Sequence, residues 1–192
     1  MIKSRLHAIA AGLAIVAAAT ACKDPNANTT VSPVAADTLT VWALTGTSPS
    51  FPSAYLAALG AVTRADGTFN FDIAFDIDAA GRIVVYPQRL VGVPLNGPKP
   101  VGLQRITGTF ESLERAPSSG YVFDSTFTVA PGQGLVMQVQ ASNECLAYFS
   151  SVRYTKLVVD SINKNQRTLY FRTVHDPNCG YRNLIPGATP KN

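Results

Sequence analysis

The sequence predicts an all-β domain, an antiparallel β-sandwich, with a closed β-barrel as the alternative architecture. Three observations carry this prediction. The stretch FNFDIAFDID alternates without a break: Phe69, Phe71, Ile73, Phe75 and Ile77 fall on one side and Asn70, Asp72, Ala74, Asp76 and Asp78 on the other. That period of two belongs to a half-buried strand, since a helix would scatter the same phenylalanines round its circumference. Some eight to ten β-rich runs are separated by turn compositions such as RAPSSG, APGQG and NKNQ, and no long helical pattern competes with them. The runs are unequal in length and joined by proline-rich connections, which favours a sandwich over a barrel.

The chain begins with a different kind of segment. Lys3 and Arg5 precede the mostly apolar run Ala8–Thr20, and small residues lead into Cys22. Positive start, apolar centre and small-residue end are the layout of a secretory signal. The run is shorter than the roughly 20 apolar residues that a spanning helix needs. The residues ATAC, 19–22, resemble the lipobox of bacterial lipoproteins, although Ala19 stands where that family most often has leucine. The resemblance implies that residues 1–21 are removed, that Cys22 carries a diacylglyceryl group on its sulfur, and that the new amino terminus is often acylated as well. Two or more chains anchor a protein stably, at about 0.8 kcal/mol per buried methylene. The membrane partner is then reached through lipid on Cys22. Lys23, in place of the aspartate that retains enterobacterial members at the inner membrane, points to the outer membrane.

Removal of the signal leaves 171 residues with 14 Lys and Arg against 12 Asp and Glu. The length suits one domain with a sizeable core. The remaining charges are scattered, and without a basic run there is no footprint for nucleic acid. The organisation expected is a signal peptide at 1–21, a lipidated cysteine and tether at 22–37, a single sandwich at 38–185, and a loose tail at 186–192. The tether, KDPNANTTVSPVAAD, has few large apolar residues.

Within the domain, TLTVWALT opens as a strand and TSPSFPS as a loop. AYLAALGAV is ambiguous, but Gly60 and the following TRADGTF favour a strand that runs to a turn at Asp66–Gly67. After residues 69–78, AAGR turns the chain into IVVYPQRLVGV, where Pro87 requires an edge position or a bulge. PLNGPKPVG is a loop. QRITGTFESL, GYVFDSTFTVA and GLVMQVQAS follow as strands. YTKLVVDSINKNQRTLYFRTVHD reads as one long hairpin turning near Asn163–Gln166, with Leu157 and Val159 sharing a face of its first strand and Leu169 and Phe171 a face of its second.

Three cysteines are an odd number for an exported protein. Lipid on Cys22 leaves Cys145 and Cys179, which an oxidising compartment would join. Such a bond is expected to clamp the returning strand to the segment leading into the hairpin and to close the edge of the domain.

Candidate chemistry is sparse. Asp72, Asp76 and Asp78, followed by Gly81, invite a calcium reading, because hard cations take clustered carboxylates. The EF-hand pattern fails at Ala80 and Pro87, and the plainer expectation is a solvated strand face whose charges discourage edge pairing. His175, Asp176 and Cys179 admit a thiol nucleophile with a histidine base. A paired cysteine cannot serve there, and DPNCG is a turn composition in its own right. His175 is the only histidine after the signal, which rules out a two-histidine site in one chain. Trp42, Tyr55, Tyr86, Tyr148 and Tyr170 include material for a sugar-stacking platform, although aromatics are favoured in strands anyway. Glu111, Glu114 and Glu144 are too isolated to argue a paired-carboxylate hydrolase, and no nucleophile elbow, phosphate loop or dinucleotide fingerprint is present. The expectation is a lipoprotein whose domain is not an enzyme, takes no cofactor or metal, and binds or scaffolds an envelope protein or glycan. A carrier of hydrophobic ligands and an envelope hydrolase stand as rivals.

Overall fold

The computed structural model describes residues 31–93, 99–140, 145 and 150–190. The signal segment, Cys22, most of the tether, Glu144 and Tyr148 lie outside the described residues. Among the described residues, ten strands form two five-stranded sheets that do not close into a barrel. The first contains β1 (Ala35–Trp42), β10 (Thr168–Asp176), β9 (Val152–Asn163), β8 (Gly134–Gln140) and β6 (Val101–Arg105), side by side in that order. The second contains β3 (Ala61–Thr63), β2 (Ala54–Leu56), β4 (Ile73–Ile77), β5 (Ile83–Pro87) and β7 (Phe127–Val129). Every neighbouring pair is antiparallel. The predicted antiparallel sandwich is the fold observed.

Alternation along the strands builds the core. Ile73, Phe75 and Ile77 of β4 face Leu135 and Met137 of β8, Leu157 and Val159 of β9, and Leu169 and Phe171 of β10, all within one buried cluster. The Phe75 and Phe171 rings lie 4.9 Å apart, and Tyr55 meets Phe171 edge-on at 5.9 Å. The β9–β10 hairpin forms in the expected place. Asn163 pairs with Thr168 across the turn, and a bulge at Asp160 separates the Val159–Phe171 pair from the Ser161–Tyr170 pair. Pro87 is tolerated because it ends β5, beyond the reach of β7, which pairs only with Ile83–Val85.

Several local expectations change. AYLAALGAV is itself a hairpin: β2 and β3 pair across a turn in which Gly60 has φ +61°. A Cβ at Gly60 would collide with the His175 ring, so only glycine permits this approach. QRITGTFESL supplies only the end of β6. Beyond it, residues 106–126 run as an irregular layer over the outer face of the first sheet, where Phe110, Ala116 and Leu184 pack on Val136, Val158 and Val174. The C-terminal segment is part of that layer. The Gly187 N–H donates to the Val34 carbonyl at 2.8 Å, and the Val34 N–H donates to the Ala188 carbonyl at 2.9 Å. The residues at 186–188 are therefore tied down, and β1 starts at Ala35, ahead of the boundary read from composition.

Cys145 and Cys179 are joined, with their Cα atoms 5.7 Å apart, inside the range a disulfide requires. The bond does not close a sheet edge, because β10 and β9 lie inside their sheet. It links the β8–β9 connection to the loop after β10. The cysteines are 34 residues apart, and loop-closure entropy sets an upper bound of about 4 kcal/mol on the stabilisation. Reduction is expected to lower the melting temperature of the folded domain. Thiol counting on the unreduced, unfolded protein should find neither cysteine free, and two titrating thiols would refute the pairing.

Candidate functional site

The carboxylates singled out in the sequence do not share one solvated face. Asp72 and Asp76 are 1% and 6% exposed. The alternation slips just before β4. Phe71 packs outward with Ala54 and Ala74, while Asp72 turns toward Val139 and Arg153 of the opposite sheet. The Tyr55 carbonyl accepts from the Asp72 N–H at 2.9 Å although Tyr55 is aligned with Ile73, so one extra residue is accommodated here. The face that was expected to be wet is covered by Leu44, Ala65, Val91 and Val93.

The three aspartates have three separate tasks. Asp72 accepts the Ala57 N–H at 2.7 Å and lies 4.0 Å from Lys99 Nζ. Burial raises its pKa, opposed by the Ala57 hydrogen bond, Lys99 and Arg153. Asp76 accepts from the Ile77 N–H at 2.8 Å, the Thr45 hydroxyl at 3.0 Å and Arg167 Nη2 at 3.1 Å. Asp78 closes the β4–β5 turn by accepting the Arg82 N–H at 2.8 Å and Arg82 Nε at 2.7 Å, and these bonds lower its pKa. Each carboxylate thus has a cationic side chain from the protein beside it. No group of three potential metal ligands occurs among the described residues.

His175 and Asp176, as neighbours on β10, project to opposite sides. Asp176 accepts the Asn178 N–H at 2.9 Å and Asn178 Nδ2 at 2.7 Å, which explains the DPN composition as a turn. Asn178 also exchanges hydrogen bonds with the backbone of Ser32. With Cys179 in the disulfide, the imagined reactive pair is not assembled. His175 is buried under Gly60, with Nδ1 3.6 Å from Asp37 Oδ2. Burial lowers its pKa, against the pull of Asp37 and with help from Arg153. The unfolded chain therefore takes up the proton first as pH falls. The stability this neutral histidine contributes is complete above about pH 6.5 and is lost as pH drops below it toward the folded value. The His175 imidazole NMR signal should titrate with a midpoint below 6.5. A midpoint above it would mean that Asp37 outweighs burial.

The aromatic candidates among the described residues do not form a platform either. Tyr55 is buried in the core, Trp42 packs on Phe51 at 5.0 Å, Tyr170 is exposed on β10, and Tyr86 belongs to the other sheet.

A concavity lies away from the aspartate, His175 and aromatic candidates. A groove of about 370 Å³ crosses the outer face of the first sheet beside β1. Ala36, Thr38 and Val174 form its floor, and Phe110 and Pro186 its walls. Lys156 fixes the Phe110 wall, since its buried Nζ donates to the Phe110 and Leu113 carbonyls at 2.9 Å each and sits over the Phe110 ring. Burial lowers the Lys156 pKa. At the rim, Arg172 is held by Asp160 and Glu111, each at 2.9 Å. The hydrogen bonds, Asp160's first, raise the Arg172 pKa, and the Arg172 bond lowers that of Glu111. Sequence reasoning passed over Lys156, Arg172 and Asn178. The one available signal was a lysine flanked by Thr155 and Leu157 in the middle of an apolar strand, where an unpaired ammonium would be costly.

Comparison with protein-family models, with curated proteins and with solved structures finds no match for this chain.

Proposed function

We propose that this chain is an exported lipoprotein, held at the cell envelope through lipid on Cys22, probing outer-membrane surroundings with a β-sandwich that binds or scaffolds rather than catalyses. The observation that favours binding is the contrast between a filled interior and an open groove. A carrier needs a large, enclosed, apolar cavity. The space between the sheets is occupied by the phenylalanine and aliphatic core, and the pocket at Asp72 measures about 10 Å³, room for about one water. A hydrolase needs convergent acids or a histidine in a concave site. Here Asp72, Asp76 and Asp78 are dispersed, Glu111 at the groove is paired with Arg172, and His175 is buried beneath a glycine turn. The groove beside β1 is accessible and has walls fixed by Lys156, which suits recognition of a protein or glycan partner.

Anchoring is tested by labelling cells with an acyl-chain probe. The wild-type protein is expected to carry label and to partition with membranes. Cys22→Ala is expected to lose both properties, and equal label and retention in that variant would overturn the lipoprotein reading.

A further inference from the structure

We infer that β1 is a docking edge for an extended peptide in which apolar and basic residues alternate. This deepens the binding role proposed above and rests on it. β1 forms one edge of its sheet and pairs only with β10. The direction of its backbone groups follows from its two ends. The Ala43 N–H donates to the Arg167 carbonyl, on the β10 side, whereas the Trp42 N–H donates to the Pro52 carbonyl, away from β10. Even-numbered positions therefore turn their N–H and C=O groups outward. Val34 and Trp42 are capped by Ala188 and Pro52. Between them, Ala36, Thr38 and Thr40 have no backbone partner on the outward side among the described residues, and Ala36 and Thr38 are exposed.

Edges of this kind are normally blunted by lysine, proline, a bulge or an inward-pointing charge, and of these β1 carries only the charge, Asp37. The β1 sequence AADTLTVW contains no lysine or proline, and its register with β10 runs without a shift. An added strand would satisfy the outward groups through main-chain hydrogen bonds, with specificity supplied by alternate side chains. The surroundings of β1 differ on its two faces. On the outer face lies the groove of about 370 Å³ walled by Phe110 and Pro186, which accepts an apolar side chain. On the opposite face is Asp37, 40% exposed at its side chain. Its nearest partner, His175, is buried, and Asp37 presents its carboxylate to the next position of an added strand. At the far rim Asp160 and Glu111 pair with Arg172, and Lys156 lies beside them at Phe110, so the selection for a basic residue rests on Asp37. Successive peptide residues thus meet an apolar groove and a carboxylate, which selects an apolar residue followed by lysine or arginine.

The test uses the lipidated protein in detergent micelles and a phage-displayed library of random heptapeptides. The expected result is enrichment of alternating apolar and basic residues. A synthetic peptide of the enriched sequence should slow hydrogen exchange at the Ala36, Thr38 and Thr40 amides. Its N-methylated form, unable to pair, should do neither that nor bind. Asp37→Lys should weaken binding by about three- to tenfold, the size expected when a surface charge pair is reversed. No enrichment, acidic enriched sequences, equal binding of the N-methylated peptide, or protection confined to amides outside β1 would each overturn the proposal. So would a concentration-dependent dimer that protects the same amides without peptide, because the edge would then serve a second copy. These outcomes leave the acyl-label result unaffected, so failure of the edge and failure of the anchor are told apart.

Discussion

Arg167→Ala is expected to destabilise the domain by about 3 kcal/mol, the lower end of the cost of stripping one partner from a buried ion pair. Arg167 follows the β9–β10 turn and, alone among the described non-glycine residues, has a positive φ, +53°. Its guanidinium donates to Asp76 Oδ1 at 3.1 Å, to the Ile77 carbonyl at 2.6 Å and to the Thr45 carbonyl at 2.6 Å. It passes so close to Gly46 that a Cβ there would lie 2.8 Å from Arg167 Nε. One side chain thereby ties the hairpin turn of the first sheet to β4 of the second and to the loop after β1. Its loss strands a carboxylate that is almost fully buried. The guanidinium is about a quarter exposed, which is why the lower figure applies. Urea unfolding of both proteins measures the difference. A cost below about 1 kcal/mol would place the pair with ordinary surface bridges.

Phe75→Ala is expected to cost about 3–5 kcal/mol, through lost transfer free energy and the cavity left behind. Phe75 is fully buried and packs on Phe171 between the sheets. Phe69→Ala supplies the contrast. It belongs to the same alternating run, but it is 41% exposed, with the Arg64 guanidinium over its ring at 4.2 Å. Its removal should change stability by less than about 0.5 kcal/mol. Equal losses at the two positions would mean that the run is a continuous strand from Phe69 onward.

That contrast shows what the sequence made legible. The β9–β10 hairpin could be read because Leu157, Val159, Leu169 and Phe171 repeat at period two and NKNQ can only turn. Cys145 and Cys179 could be paired once Cys22 was set aside for lipid. The aspartates could not be placed. Alternation records which residues share a face, not whether another layer covers that face, and the extra residue at Asp72 reverses the phase in the middle of a regular pattern. The groove was hidden for a related reason. Its wall is Phe110, from a stretch that reads as a strand, and it is fixed by carbonyl acceptors that have no side-chain signature. Lys156 was the only visible trace of that layer.

The tie between residues 32–34 and the C-terminal segment has a mechanical consequence. Asn178 staples Ser32, and Gly187 and Ala188 staple Val34. If the domain is anchored through Cys22 as proposed, the pull enters at a seam made from the first and last of the described residues. A force on the leading segment is spread to the loop after β10 and to the C-terminal segment before it reaches the core. A protease that nicks the chain between Leu184 and Gly187 would cut this seam from the other side. It would release the start of β1 and leave the two sheets still packed, a frayed domain rather than an unfolded one.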